Sequence, residues 1–267
     1  MKNNNQPIGI FDSGLGGLTV LKELKMILPK ESFIYFGDTA HLPYGTKSKD
    51  TIIKYSSQIC KFLIKQKVKL IIVACNTASA LAIETLEKHI NIPIINVIDP
   101  CIQRAIKITK KKSIGIIGTQ ATINSKAYDV KLNQLNHDLD ITSQACPLFV
   151  PIIEAGLTDH KITNNICELY LNKKKFSEID VLILGCTHYP LLIETIKKHI
   201  SKKIIIINSA NIVAVFVKKF LYENKLSISN QNQHYIKYFL TDKSIKFNKL
   251  ASIFLKEDSL KIEFIKL

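Results

Sequence analysis

The chain has 267 residues, 46% of them apolar, which suits one large domain or two smaller ones with cores of their own. Its formal charge of +15 comes from 37 basic against 22 acidic residues, yet Arg104 is the only arginine and the lysines are spread along the chain. Nucleic-acid surfaces use arginine heavily for forked contacts, so the charge argues against a nucleic-acid partner and reads as compositional bias that at most attracts a small anion.

Residues 1–7 are polar and lead directly into a strand, without the pattern of a signal peptide. The longest apolar stretches, near Leu70 and over 204–217, are too short or too interrupted to span a bilayer. A soluble cytoplasmic chain with no membrane partner is expected. Six cysteines (60, 75, 101, 146, 167 and 186) stand at wide spacings with no Cys-x-x-Cys pair. That predicts free thiols and neither a disulfide framework nor a zinc knuckle.

In chain order, 8–11 is a short apolar strand, and the turn Asp12-Ser13-Gly14-Leu15-Gly16-Gly17 opens a helix over 18–28. Such a turn exposes backbone N–H groups that suit an anion. It is not a dinucleotide fingerprint, because Thr19 stands where the third glycine belongs, and no Walker A pattern occurs. Asp12 falls at the carboxyl end of the strand, where open α/β sheets place ligands; a helix N-cap is its plainer reading. A strand over 33–36 ends in Gly37-Asp38-Thr39, and the Pro43-Tyr44-Gly45 loop follows, its tyrosine either covering a pocket or serving as an ordinary loop aromatic. The helix predicted over 49–66 carries Ile52, Tyr55, Ile59 and Phe62 on one stripe, with Cys60 beside it as a core thiol.

The run Leu70-Ile71-Ile72-Val73-Ala74-Cys75-Asn76-Thr77 reads as a buried strand, a small residue, a cysteine and a helix over 77–90. A strand over 92–98 is closed by Asp99-Pro100, where a helix is not expected to continue, and a helix over 101–112 follows. The pattern then restarts with a strand over 113–118 and Gly118-Thr119 in the place of Asp12-Ser13. A helix over 124–135, a strand over 139–145, an irregular segment from Cys146 that holds Glu154, and a helix over 161–175 come next. Leu182-Ile183-Leu184-Gly185-Cys186-Thr187-His188-Tyr189-Pro190 repeats the earlier design: apolar strand, glycine break, cysteine, and a helix over 190–200 with proline in its first turn. The remainder reads as a strand over 203–207, a helix over 210–222, a polar linker over 224–233, a strand over 234–240, a helix over 248–255 and a strand over 261–265. This tail is too small for a core of its own and is expected to complete the first half.

Alternating strands and helices predict an α/β chain of two doubly wound parallel-sheet domains, quasi-repeats of each other, with the site in the cleft between them. The expected division is 1–99 plus 210–267 for one domain and 100–209 for the other. Each half delivers one Cys-Thr pair. At the mouth of a helix a thiolate is favoured. Two such thiols facing one another could take a proton from carbon on one side and return one on the other, inverting a stereocentre. Asp12 and His188 are the groups placed to tune them, and Ser13, Asn76, Thr77, Thr119 and Thr187 could hold a carboxylate and an amine. Three other readings stay open: two structural cysteines, a metal site from Cys75, Cys186 and His188, and a hydrolase using Cys186 with His188. His188 by itself, as a lone histidine, would more often be a turn or capping residue.

Five segments in this order carry a resemblance. They are Ile10-Phe11-Asp12-Ser13-Gly14-Leu15-Gly16-Gly17, Tyr35-Phe36-Gly37-Asp38-Thr39, Pro43-Tyr44-Gly45-Thr46-Lys47-Ser48, Ala74-Cys75-Asn76-Thr77-Ala78-Ser79 and Leu184-Gly185-Cys186-Thr187-His188-Tyr189-Pro190. The chain resembles the glutamate racemases of bacterial cell-wall synthesis almost end to end. The resemblance implies cofactor-independent interconversion of L- and D-glutamate for peptidoglycan, without a metal. It implies Cys75 as base toward D-glutamate and Cys186 toward L-glutamate, assisted by Asp12 and His188, with Glu154 a further acidic site residue. It assigns substrate binding to Asp12, Ser13, Pro43, Tyr44, Gly45, Asn76, Thr77, Thr119, Thr187 and His188. A homodimer or a monomer–dimer equilibrium is implied too. With seven residues before the first strand, control by a cell-wall precursor through a longer N-terminal extension is not expected. Aspartate racemase is the near rival within the same chemistry.

Overall fold

The computed structural model describes residues 4–171, 174–228, 234–243, 251, 255 and 260–267. Strand β1 (Ile8–Asp12) leads into helix α1 (Leu18–Ile27). Next, β2 (Phe33–Gly37) runs through two 3-10 turns (Thr39–His41 and Tyr44–Thr46) into α2 (Lys49–Lys65). Then β3 (Leu70–Val73) feeds α3 (Asn76–Leu81) and α4 (Ile83–His89), and β4 (Ile94–Asn96) feeds α5 (Ile98–Ile108). The second series is β5 (Ser113–Gly118), α6 (Gln120–Asn124), α7 (Ala127–Leu135), β6 (Asp140–Ala145), α8 (Phe149–Glu154) and α9 (Lys161–Tyr170). It continues with β7 (Val181–Gly185), a 3-10 turn (Tyr189–Leu192), α10 (Ile193–His199) and β8 (Ile205–Asn208). The chain ends with α11 (Ser209–Glu223), β9 (Ile236–Leu240) and β10 (Ile262–Phe264).

These strands form two sheets, in the orders β10-β9-β2-β1-β3-β4 and β6-β5-β7-β8. Among the described residues every pairing is parallel. The protein is therefore an α/β molecule of two parallel-sheet domains. The two last strands of the chain lie at the outer edge of the first sheet, where Ile236 of β9 pairs with Phe33 of β2.

Period-2 alternation splits each sheet between two cores, as a parallel sheet covered on both faces requires. In β1, Ile8 and Ile10 pack with Leu18, Leu21 and Leu24 of α1 and Val213 and Val217 of α11, whereas Phe11 packs with Ile59 and Leu63 of α2. In β7, Val181 and Ile183 face Ile102 of α5 and Leu132 of α7, while Leu182 and Leu184 face Phe149 of α8 and Cys167 of α9. Cys60 is buried in the α2 core as expected. At the amino-terminal ends of the strands, buried Lys69 donates to Glu31 Oε2 at 2.6 Å, Asn4 O at 2.7 Å and Leu226 O at 2.9 Å.

Several elements differ from the sequence reading. The helix expected over 77–90 is broken at Ala82, which turns the chain between α3 and α4. The helix expected over 124–135 begins earlier and is interrupted at Lys126, whose φ of 54° lies in the left-handed region. Asp99-Pro100 does not stop a helix but sits in the first turn of α5, where a missing N–H leaves no intrahelical bond unmade. Asn96 Oδ1 caps that turn by accepting from Ile98 N and Asp99 N. The segment after Cys146, read as irregular, holds helix α8, and Glu154 is its last residue. Most of the helix expected over 248–255, and the end of the linker over 229–233, lie outside the described residues.

Candidate active site

Parallel strands point their carboxyl ends the same way, and the loops that follow those ends meet between the two sheets. After β3, Ala74 N still donates to Phe11 O at 2.9 Å, and the chain then turns so that Cys75 becomes the N-cap of α3. Its sulfur accepts from Ala78 N at 3.5 Å and donates to Ser13 Oγ at 3.7 Å. Cys186 follows the glycine that ends β7. A side chain at Gly185 would meet Ile117 O at 2.9 Å, so only glycine lets β7 and β5 stay paired up to the cysteine. Each of these cysteines is 5% exposed. That small exposure opens onto one cavity of about 310 Å³.

From the six-stranded domain the cavity takes Ser13, Pro43, Tyr44, Gly45, Cys75, Asn76 and Thr77. From the four-stranded domain it takes Thr119, Glu154, Cys186, Thr187 and His188. Of the residues singled out from sequence, only Asp12 is not in its lining. Asp12 is wholly buried, its carboxylate accepting from Gly14 N at 2.9 Å and Thr187 Oγ1 at 3.3 Å. It is not an N-cap, for Gly17 holds that position at α1. Sequence reasoning missed Leu42, Thr46, Gln120, Pro147, Val150 and Pro151 in the wall. Four of them are apolar, and Thr46 and Gln120 stand in no catalytic or binding motif.

The two domains touch through these same residues. Thr77 Oγ1 lies 3.0 Å from Thr119 Oγ1 and 3.2 Å from Thr122 Oγ1. A methyl group on Gly16 would overlap Thr187 Oγ1 and His188 Nδ1, and one on Gly45 would meet Thr119 Cβ at 2.9 Å. Tyr44, which closes one side, is held by its hydroxyl donating to Asp38 Oδ2 at 2.6 Å.

The charged groups beside the two cysteines differ. Burial, with the nearby Asp12 carboxylate adding to it, pushes the Cys75 thiol up to about 12. The helix-mouth position predicts a favoured thiolate there; desolvation outweighs the bond from Ala78 N and the contact with Ser13. Burial also raises Asp12, partly offset by the charge of His188. Beside Cys186 stands a cation instead. Burial acts to lower His188, but hydrogen bonds to Cys186 and Glu154 prevail and bring it up to about 10. His188 Nδ1 is 3.9 Å from Cys186 Sγ, and its Nε2 is 3.2 Å from Glu154 Oε1. Among the described residues, no group of three His, Cys, Asp or Glu side chains could hold a metal ion, and no helix is long and apolar enough to cross a membrane.

The family model for Asp/Glu/hydantoin racemases matches residues 8–217. The glutamate racemase of Geobacter metallireducens is 44% identical over 250 residues, 93% of this chain and 92% of that one. Among solved structures, the glutamate racemase of Francisella tularensis in complex with D-glutamate superposes with a TM-score of 0.92 at 40% identity, over 98% of each chain. A glutamate racemase isoform of Bacillus anthracis superposes with a TM-score of 0.94 at 36% identity, over 100% of this chain and 99% of that one.

Proposed function

This chain belongs to the Asp/Glu/hydantoin racemase family, and we propose that it interconverts L- and D-glutamate by passing the Cα proton between two cysteines. The observation that carries this reading is the arrival of Cys75 and Cys186 in one cavity from the carboxyl ends of different sheets. Placed on opposite faces of a bound amino acid, the two thiols supply one base and one acid. With D-glutamate, the Cys75 thiolate takes the Cα proton; the C–H bond breaks and its electron pair stays on Cα. The Cys186 thiol then gives its proton to the opposite face, leaving a neutral Cys75 and a Cys186 thiolate. L-glutamate runs the same steps backwards. No cofactor takes part.

The wall offers groups of the right kind. Asn76 Nδ2 is buried and has no hydrogen-bond partner among the described residues, so a substrate carboxylate would satisfy it. Ser13, Thr77, Thr119 and Thr187 add hydroxyls. The substrate ammonium would offset part of the cost of a thiolate at Cys75. Asp12 acts from behind these groups, and Glu154, itself in the wall, acts through its contact with His188. We place the reaction in the cytoplasm, its D-glutamate supplying peptidoglycan synthesis.

The test is glutamate in D2O with purified enzyme and no added cofactor, followed by circular dichroism and by proton NMR at Cα. Loss of optical signal with deuterium entering at Cα, from either enantiomer, is the expected result. Exchange with aspartate and none with glutamate would move the substrate class. No exchange with either would overturn the reading.

A further inference from the structure

Tyr128 lies on α7 of the four-stranded domain and is 1% exposed. Its hydroxyl donates across the domain boundary to Asn76 Oδ1, at 2.6 Å. Asn76 opens α3, directly after Cys75, and the residue, 2% exposed, belongs to the cavity wall. The ring of Tyr128 also packs against the glycine before Cys186, since a Cβ on Gly185 would stand 3.4 Å from Tyr128 Cε2. One side chain thus braces the turns that carry both thiols.

The chemistry of the pair fixes which way the amide points. A buried hydroxyl proton needs an acceptor, and Asn76 Oδ1 is the one within reach. Turning the amide over would set an NH2 against the phenol and leave the hydroxyl proton unpaired. With Oδ1 committed to Tyr128, Nδ2 is left over, buried and unpartnered among the described residues. Burial holds the phenol well above its usual range, so it remains a donor across the working pH range.

We propose that Tyr128 is a positioning residue that locks the Asn76 amide with its NH2 toward the cavity, making the site select a carboxylate at that point. This rests on the glutamate reading given above. Without the phenol hydroxyl the amide is free to present its oxygen, which repels a carboxylate. The same bond makes recognition depend on domain contact, because donor and acceptor lie on different domains.

A double-mutant cycle tests this. Tyr128→Phe keeps the ring and removes the donor. It is expected to raise KM for both enantiomers about tenfold while kcat stays within about threefold, the signature of lost binding shared by ground and transition states. Asn76→Ala should raise KM at least as much, and the double variant should be no worse than Asn76→Ala alone. Asn76→Asp keeps an acceptor for Tyr128 but puts an oxygen toward the substrate, so it should also lose affinity with folding intact. An unchanged KM in Tyr128→Phe, additive losses in the double variant, or wild-type affinity in Asn76→Asp would each overturn the role of Tyr128. A wild-type enzyme that exchanges no deuterium into glutamate would instead overturn the functional reading beneath it.

Discussion

The Nδ1 atom of His188 lies 3.9 Å from the sulfur of Cys186. Burial disfavours charge on this ring, yet its bonds to Cys186 and Glu154 raise it from 6.5 to about 10. A raised histidine stabilises the fold fully below about 6.5, and that contribution is lost as pH rises through about 10. Glu154→Gln removes one of the raising interactions. The alkaline limb of the pH–rate profile should therefore move to lower pH, and thermal stability at high pH should fall earlier than in the wild type. Coincident limbs in the two proteins would contradict this.

Serine at either cysteine tests the division of labour between the thiols. Cys75→Ser and Cys186→Ser should each reduce racemisation in both directions by at least about a thousandfold, within the range general acid–base groups contribute. Each variant should still eliminate from a glutamate analogue bearing a β-leaving group, one enantiomer per variant, because elimination needs only the surviving thiol. A hydrolase built on Cys186 and His188 would leave Cys75→Ser nearly unaffected. Racemisation retained by either variant would sink the two-base assignment.

Gly16 is a steric test of domain contact. Its missing side chain is what lets Thr187 and His188 approach the glycine turn. Gly16→Ala should displace them, costing about 1–3 kcal/mol of stability and more than about tenfold in kcat/KM. Urea titration and steady-state kinetics give both numbers. Unchanged kinetics would mean the turn moves aside freely.

Lys69 and Glu31 form an ion pair in which the side chains are 2% and 3% exposed. Replacing one partner strands the other charge in the interior. Lys69→Met should therefore destabilise by about 3–5 kcal/mol, and Lys69→Met with Glu31→Leu should recover much of the loss. Racemase activity at low temperature should persist in both, because the pair sits at the opposite ends of the strands from the cavity. Equal stability of the single and double variants would show that the charge is not isolated.

The thiols were legible because a strand, a small residue and a cysteine before a helix is a local pattern, and it occurs twice. The parallel sheets were legible from the strand–helix alternation. Other features depended on distant partners. Proline reads alike as a stop and as a first-turn residue, and only the cap from Asn96 decides for the helix at Asp99-Pro100. Pro147, Val150 and Pro151 fall in a segment that reads as irregular in sequence, and they become cavity wall only when the domains meet. The high pKa of Cys75 arises from burial between sheets, which the helix-mouth position could not reveal. Tyr128 carries no motif at all; its role comes from standing opposite Asn76.

The pairing of Phe33 with Ile236 has a consequence for biosynthesis. When β2 leaves the ribosome, the strand that will cover its outer edge is not yet translated. The four strands of the second sheet are all made in the interval and need nothing from the last residues to pair with one another. The nascent chain thus holds an open, apolar sheet edge, a template for association with other chains, until β9 is made. Truncation before β9 should give aggregates, even though the cavity-lining residues among those described are already present.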